Sequence, residues 1–169
     1  MALSLALVSC TGIGQESPSK GDKLVDVEVT TLDGETQKLS EIQNRRVLVF
    51  KFGATWCGWC NRQLVDFNKV DKAYDDDKVV VVDIDVKEPA AEVAAHAKEA
   101  GVTFTTVLDP KGAGAARYNV RGIPVTIVAD HEGTILYRGN YTTFAVLRKT
   151  IDPAVENLEA SRKKADAKS

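Results

Sequence analysis

The sequence predicts a single α/β domain with a mixed central sheet flanked by helices, and three observations carry that prediction. Residues 78–86 form a nearly continuous apolar run, the pattern of a parallel strand covered on both faces. Apolar strand-like runs alternate with helical periodicities from residue 46 to about residue 118, as crossover-connected strands require. Two further runs, 125–129 and 135–138, flank the turn Asp130-His131-Glu132-Gly133 and should therefore pair antiparallel. The 169 residues suit one domain with tails. A net charge of −2 gives no electrostatic case for nucleic acid as a partner. No apolar run reaches the length of a mature transmembrane helix.

Taken in order, residues 1–10 are apolar and end at Cys10, and residues 11–22 are polar, rich in Gly and Ser, and read as a flexible tether. The folded domain is expected over 23–160. Val25, Val27 and Val29 alternate with Asp26 and Glu28, a half-buried strand that ends at the turn 32–35. A short strand over 36–39 completes a hairpin, and 40–42 give a brief helical turn. Residues 46–52 read as a buried strand. From Cys57 a helical pattern puts Cys60, Leu64, Phe67 and Tyr74 on one stripe.

The run Asp75-Asp76-Asp77 reads as a solvated turn before the strand 78–86. Pro89 fits the first position of the next helix, and Gly101 ends it. A strand over 103–108 and a short helix over 113–118 follow, and then the antiparallel pair. The last helix carries the stripe Phe144, Leu147, Ile151, Val155 and Leu158. Pro153 inside it should kink or restart it, with Asp152 as cap. The charged tail 161–169 is expected to be disordered.

The chemistry centres on Cys57 and Cys60. A Cys at a helix N-terminus faces unpaired N–H groups and the positive end of the helix dipole, which favour a thiolate. Cys60, one turn deeper, is placed to attack a mixed disulfide formed by Cys57. A zinc site is the bland alternative, but there is no second Cys pair, and the histidines are His96 and His131 alone. A purely structural disulfide at this spacing would close too small a loop to stabilise a domain much. The layout is that of a redox dithiol, with no metal and no cofactor implied. His96 and His131 are assigned no role.

The stretch Ala-Thr-Trp-Cys-Gly-Trp-Cys, residues 54–60, resembles the active site of the thioredoxin superfamily, with Trp59 in place of the commoner Pro. The segment Arg121-Gly122-Ile123-Pro124-Val125-Thr126 resembles the superfamily's cis-Pro loop. With the N-terminal hairpin and an inserted βα unit, residues 24–158 resemble the TlpA/ResA-like thiol-disulfide oxidoreductases. The resemblance implies a thioredoxin-like fold. It also implies a partner groove formed by Trp56, Gly58, Trp59, Gly122, Ile123 and Pro124, where an extended segment pairs with the backbone before a cis Pro124.

Thioredoxins carry a buried carboxylate six residues before the first Cys. Here that residue is Lys51, whose cation could lower a thiol pKa and which Asp83 on the neighbouring strand could pair. The alternative is that Lys51 snorkels to an edge without chemical role. The family's active-site Glu falls on Glu88, which could instead simply cap the helix after it.

Residues 7–10, Leu-Val-Ser-Cys, resemble a bacterial lipobox. The preceding stretch is short and has no positive n-region, as a start codon placed too far downstream would leave it. Residues 1–10 thus read as a truncated lipoprotein signal ending at a lipidated Cys10. The functional expectation is an extracytoplasmic, periplasmic or membrane-anchored reductant. It would exchange disulfides with partner proteins, apocytochrome c among the candidates, and be recharged by a membrane dithiol. The alternatives are a cytoplasmic thioredoxin-like reductase and a non-enzymatic lipoprotein binding module on the same fold. A peroxiredoxin is rejected, because its catalytic Cys needs an upstream Pro and hydroxyl residue at a spacing that Thr55 does not meet.

Overall fold

The computed structural model describes residues 17–168. In chain order its elements are β1 (Glu28–Thr31), β2 (Thr36–Lys38), α1 (Leu39–Gln43), β3 (Val47–Gly53), α2 (Gly58–Ala73), β4 (Val79–Val86), α3 (Ala90–Glu99), β5 (Thr105–Asp109), α4 (Ala113–Arg117), β6 (Val125–Ala129), β7 (Ile135–Gly139) and α5 (Phe144–Asp166). The strands form one mixed sheet of order β2-β1-β5-β4-β3-β6-β7. Strand β4 lies between β3 and β5 and is parallel to both. This is the place its unbroken apolar run demands, because both of its faces are covered. β6 and β7 form the expected antiparallel pair, and β6 runs antiparallel to β3.

Strand alternation divides the core between the two faces. Leu48, Phe50 and Phe52 of β3 join Val82, Ile84, Val107 and Ile127 on one face, closed by Leu39 and Tyr118. The buried Tyr118 ring lies 5.6 Å from Phe50 and 5.3 Å from Phe52, and its hydroxyl donates to the Val25 carbonyl at 2.9 Å. Val47, Val49, Val81 and Val128 face the other way and pack with Phe67 and Val70 of α2 and Leu147 and Ile151 of α5. Each large side chain so enclosed contributes roughly 1.5–3 kcal/mol of hydrophobic stabilisation.

Three expectations need correction. The end of the tether is docked: Gly21 N–H donates to Ile135 O and Ile135 N–H to Asp22 O, both at 2.8 Å, so 21–22 edge the β6–β7 hairpin. The tail is helical to Asp166. Arg162 fixes it by reaching the Asp77 carboxylate at 2.8 Å and the Asp77 carbonyl at 2.6 Å, and Glu159 pairs with Lys78 at 2.9 Å. Helix α5 does not restart at Pro153 but runs through it. Asp152 therefore caps nothing and instead accepts from Tyr74 and Arg148. The signal read at residues 1–10, with Cys10, lies outside the described residues.

Candidate active site

Strand β3 delivers the chain to the first turn of α2, where Cys57 is the N-cap and its sulfur accepts the Cys60 N–H at 3.2 Å. The two cysteines form a disulfide with Cα atoms 5.1 Å apart. Cys57 is 8% exposed and Cys60 is fully buried, so the outer sulfur is the one a partner can reach. The Ile123–Pro124 bond is cis. It brings the Ile123 carbonyl oxygen within 3.8 Å of Cys57 Sγ. A sulfur in a disulfide has no proton to donate, so this is a contact that only the thiol form could turn into a hydrogen bond.

Trp56 and Trp59 are 76% and 57% exposed, large apolar surfaces that line a shallow pocket together with Cys57. Trp59 stacks near Tyr141, with ring centroids 5.4 Å apart, and the Arg62 guanidinium sits 5.5 Å from its ring. Between Trp59, Tyr141 and the loop Gly122-Ile123-Pro124 runs a groove of about 830 Å³, with Arg121 and Arg138 on its wall. Gly58 is exposed on the first turn of α2. The residues expected to form a partner groove are therefore gathered around Cys57.

Lys51 is buried beneath this turn, with 1% side-chain exposure, and its Nζ lies 2.5 Å from Asp83 Oδ1. It does not snorkel. The register pairs Lys51 with Asp83 on one side and with Thr126 on the other, so the ion pair is a cross-strand contact on the face that α2 covers. Glu88 does not cap α3, whose N-cap is Pro89 with no side-chain hydrogen bond. Lys87, in the left-handed region at φ 59°, turns the chain out of β4 and aims Glu88 back across the sheet end. There its two oxygens accept from the Thr55 N–H at 2.8 Å and the Thr55 hydroxyl at 2.5 Å. It thereby holds the backbone two residues ahead of Cys57.

Two buried residues here escaped the sequence reading. Asp85 is 3% exposed and faces the same way as Asp83, two residues back. Burial first, then the Asp83 charge, pushes its carboxyl up to about 7, with Glu88 adding to the shift and Lys51 opposing it. A legible signal existed: two carboxylates, two apart, in an otherwise apolar central strand. Gln63, fully buried in α2, accepts the Thr142 N–H at 2.7 Å and donates to the Thr142 carbonyl at 2.8 Å, tying the helix to the loop before α5. Nothing in its sequence neighbourhood marks it.

Residues 20–138 match the family model AhpC/TSA family. Among curated proteins, the chain is 33% identical over 119 residues to the thioredoxin-like protein YneN of Bacillus subtilis, covering 69% of this chain and 68% of that one. It is 30% identical over 115 residues to the thiol-disulfide oxidoreductase ResA of Geobacillus kaustophilus, covering 68% and 66%. Among solved structures, it is similar to a Chlorobium tepidum chain assigned as a thiol:disulfide interchange protein DsbE. That match has TM-score 0.74 and 27% identity and covers 82% of this chain and 99% of that one. The exposed lipoprotein thioredoxin Etrx1 of Streptococcus pneumoniae shares the fold at TM-score 0.64 and 24% identity, covering 76% and 99%.

Proposed function

The chain belongs to the AhpC/TSA family and is a thiol-disulfide oxidoreductase of thioredoxin fold, and on that premise we propose that it is an extracytoplasmic reductant of protein disulfides. The observation that carries the reading is the asymmetry of the dithiol: an outer Cys57 sulfur at a helix N-terminus, a buried Cys60, and a cis-Pro loop whose Ile123 carbonyl lies against the outer sulfur. In the reduced form, the Cys57 thiolate attacks a partner disulfide and forms a mixed disulfide, and one partner sulfur leaves as a thiolate. Cys60 then attacks Cys57 Sγ. The Cys57–Cys60 bond forms, the bond to the partner breaks, and two electrons have passed to the partner.

Trp56, Gly58, Trp59, Gly122, Ile123 and Pro124 form the docking surface for an extended partner segment. Lys51 supplies a fixed positive charge beneath the turn, and Glu88 holds the loop through Thr55. The lipobox-like Leu7-Val8-Ser9-Cys10, with the likeness to an exposed lipoprotein thioredoxin, supports a lipid-anchored protein outside the cytoplasmic membrane. There a spent dithiol needs a membrane dithiol to recharge it. Apocytochrome c is one partner class that such a reductant serves.

Cys60→Ser should trap partners as mixed disulfides on Cys57, whereas Cys57→Ser should trap none. Captured proteins are expected to be exported ones, released by dithiothreitol. Capture of cytoplasmic proteins alone would contradict the location, and no capture by either variant would contradict the exchange.

A further inference from the structure

Asp85 stands at the end of β4, directly across the sheet from Gly53. Gly53 has no side chain, and a Cβ built there would run into the Lys51 ammonium and lie 3.4 Å from Cys60 Sγ. The glycine therefore leaves the Lys51 ammonium and the resolving sulfur sharing one small space, with Asp85 in the adjoining register position. The groups acting on Asp85 are Asp83 on its own strand, Lys51 from β3 and Glu88 from the turn after β4, and Cys60 Sγ lies 3.4 Å from the Cβ position of Gly53, the residue in register with Asp85.

The buried charges decide what this cluster can do. Lys51 contributes one positive charge, Asp83 and Asp85 two negative ones when both are ionised, and Glu88 at the rim adds a third carboxylate to the cluster. A buried charge without a counter-charge is costly, so the site holds one proton readily. A Cys60 thiolate formed by losing its proton to bulk water would add another negative charge. A proton handed from Cys60 to Asp85 moves the negative charge within the site and leaves its total unchanged.

We propose that Asp85 accepts the Cys60 thiol proton when Cys60 resolves a mixed disulfide, and that Glu88 is its link to solvent. The proposal rests on the dithiol exchange above. In the step, the Cys60 S–H proton goes to the Asp85 carboxylate, and the sulfur electron pair forms the bond to Cys57 Sγ. The bond from Cys57 to the partner sulfur breaks, and its electron pair leaves on the partner as thiolate. The dithiol is oxidised and the partner reduced. Asp85 then passes its proton through Glu88, which is half-buried and within hydrogen-bonding reach of it, to water or to the departing thiolate. A carboxyl that titrates near neutrality suits this exchange, because acid–base catalysis is most effective when the group's pKa lies near the working pH.

The reduced protein mixed with one equivalent of dithiobis(nitrobenzoate) releases thionitrobenzoate in two steps, attack by Cys57 and then resolution by Cys60. In Asp85→Asn the first step should stay within about twofold of wild type, and the second should slow by at least about tenfold at neutral pH. The pH profile of the second step should lose its neutral inflection, and Asp85→Glu should restore it. A second step of unchanged rate and profile, or equal slowing of both steps, would overturn the proposal. Absence of the first step in wild type would instead remove the exchange reading itself. If Asp85→Asn fails to fold, carbon NMR of the wild-type Asp side-chain carboxyls decides. One of them should titrate near neutrality in the disulfide form and move on reduction, and none titrating above the ordinary range would overturn the proposal.

Discussion

Asp85 is destabilising as well as useful. Its folded-state pKa of about 7 lies above the ordinary 3.8. Between those values the folded chain keeps a proton that the unfolded chain has released. Stability therefore falls as pH rises through this window, and the loss is complete above the folded pKa. Below the unfolded pKa both states are protonated and Asp85 makes no difference. Asp85→Asn should stabilise the disulfide form by roughly 1–3 kcal/mol near pH 8, and the gain should vanish near pH 4. Urea denaturation at the two pH values checks this; a loss of stability at pH 8 would contradict the burial argument. Lys51 illustrates a different balance. Its pairing with Asp83 offsets the desolvation of both groups without adding much, as buried ion pairs commonly do. The residue scale was only partly legible in the sequence. Lys51, Asp83 and Glu88 stood out because a charge in an apolar strand, or beside a family motif, is conspicuous. Asp85 carried the same signal, a second carboxylate in an apolar strand, and was passed over, whereas Gln63 matters through Thr142, far away in sequence.

Helix α2 does two jobs at its first turn: it presents Cys57 outward and buries Cys60 over the charged face of β3 and β4. Of the expected stripe Cys60, Leu64, Phe67 and Tyr74, the first three are buried on the sheet, as a period of 3.6 requires, while Tyr74 is the C-cap and packs half-buried at its end. Helix α5 was less readable. Proline usually ends a helix, and a charged tail usually stays in solvent. Here Ala154 and Leu158 are buried beyond the proline, and Arg162 and Glu159 anchor the far end, so packing overrides local preference. The exposed Pro153 has no N–H for the helix ladder. Pro153→Ala should therefore raise stability, by about 1–3 kcal/mol with exchange activity unchanged. Thermal unfolding tests this, and a lower melting temperature would mean the proline is needed for the path of α5.

For the whole molecule, the sheet order and the site share one cause. Parallel β3, β4 and β5 end on the same side, and there the first turn of α2, the turn carrying Glu88 and the cis-Pro loop meet. The strand types and antiparallel closure followed from hydrophobic pattern and turn residues. The docking of 21–22 against β7 did not, because backbone pairing by a polar segment leaves no hydrophobic signature. Trp59 lines the groove and, with Trp56, also the shallow pocket that contains Cys57, so the groove lies beside the reachable sulfur, where the proposed partner segment would pair. The direction in which electrons cross this site is the central claim. It is tested most directly by the midpoint potential of Cys57–Cys60, measured by equilibration in dithiol redox buffers. A reductant is expected to lie near thioredoxin's value of roughly −270 mV. A value near −120 mV, or a pair that does not titrate reversibly, would contradict the account.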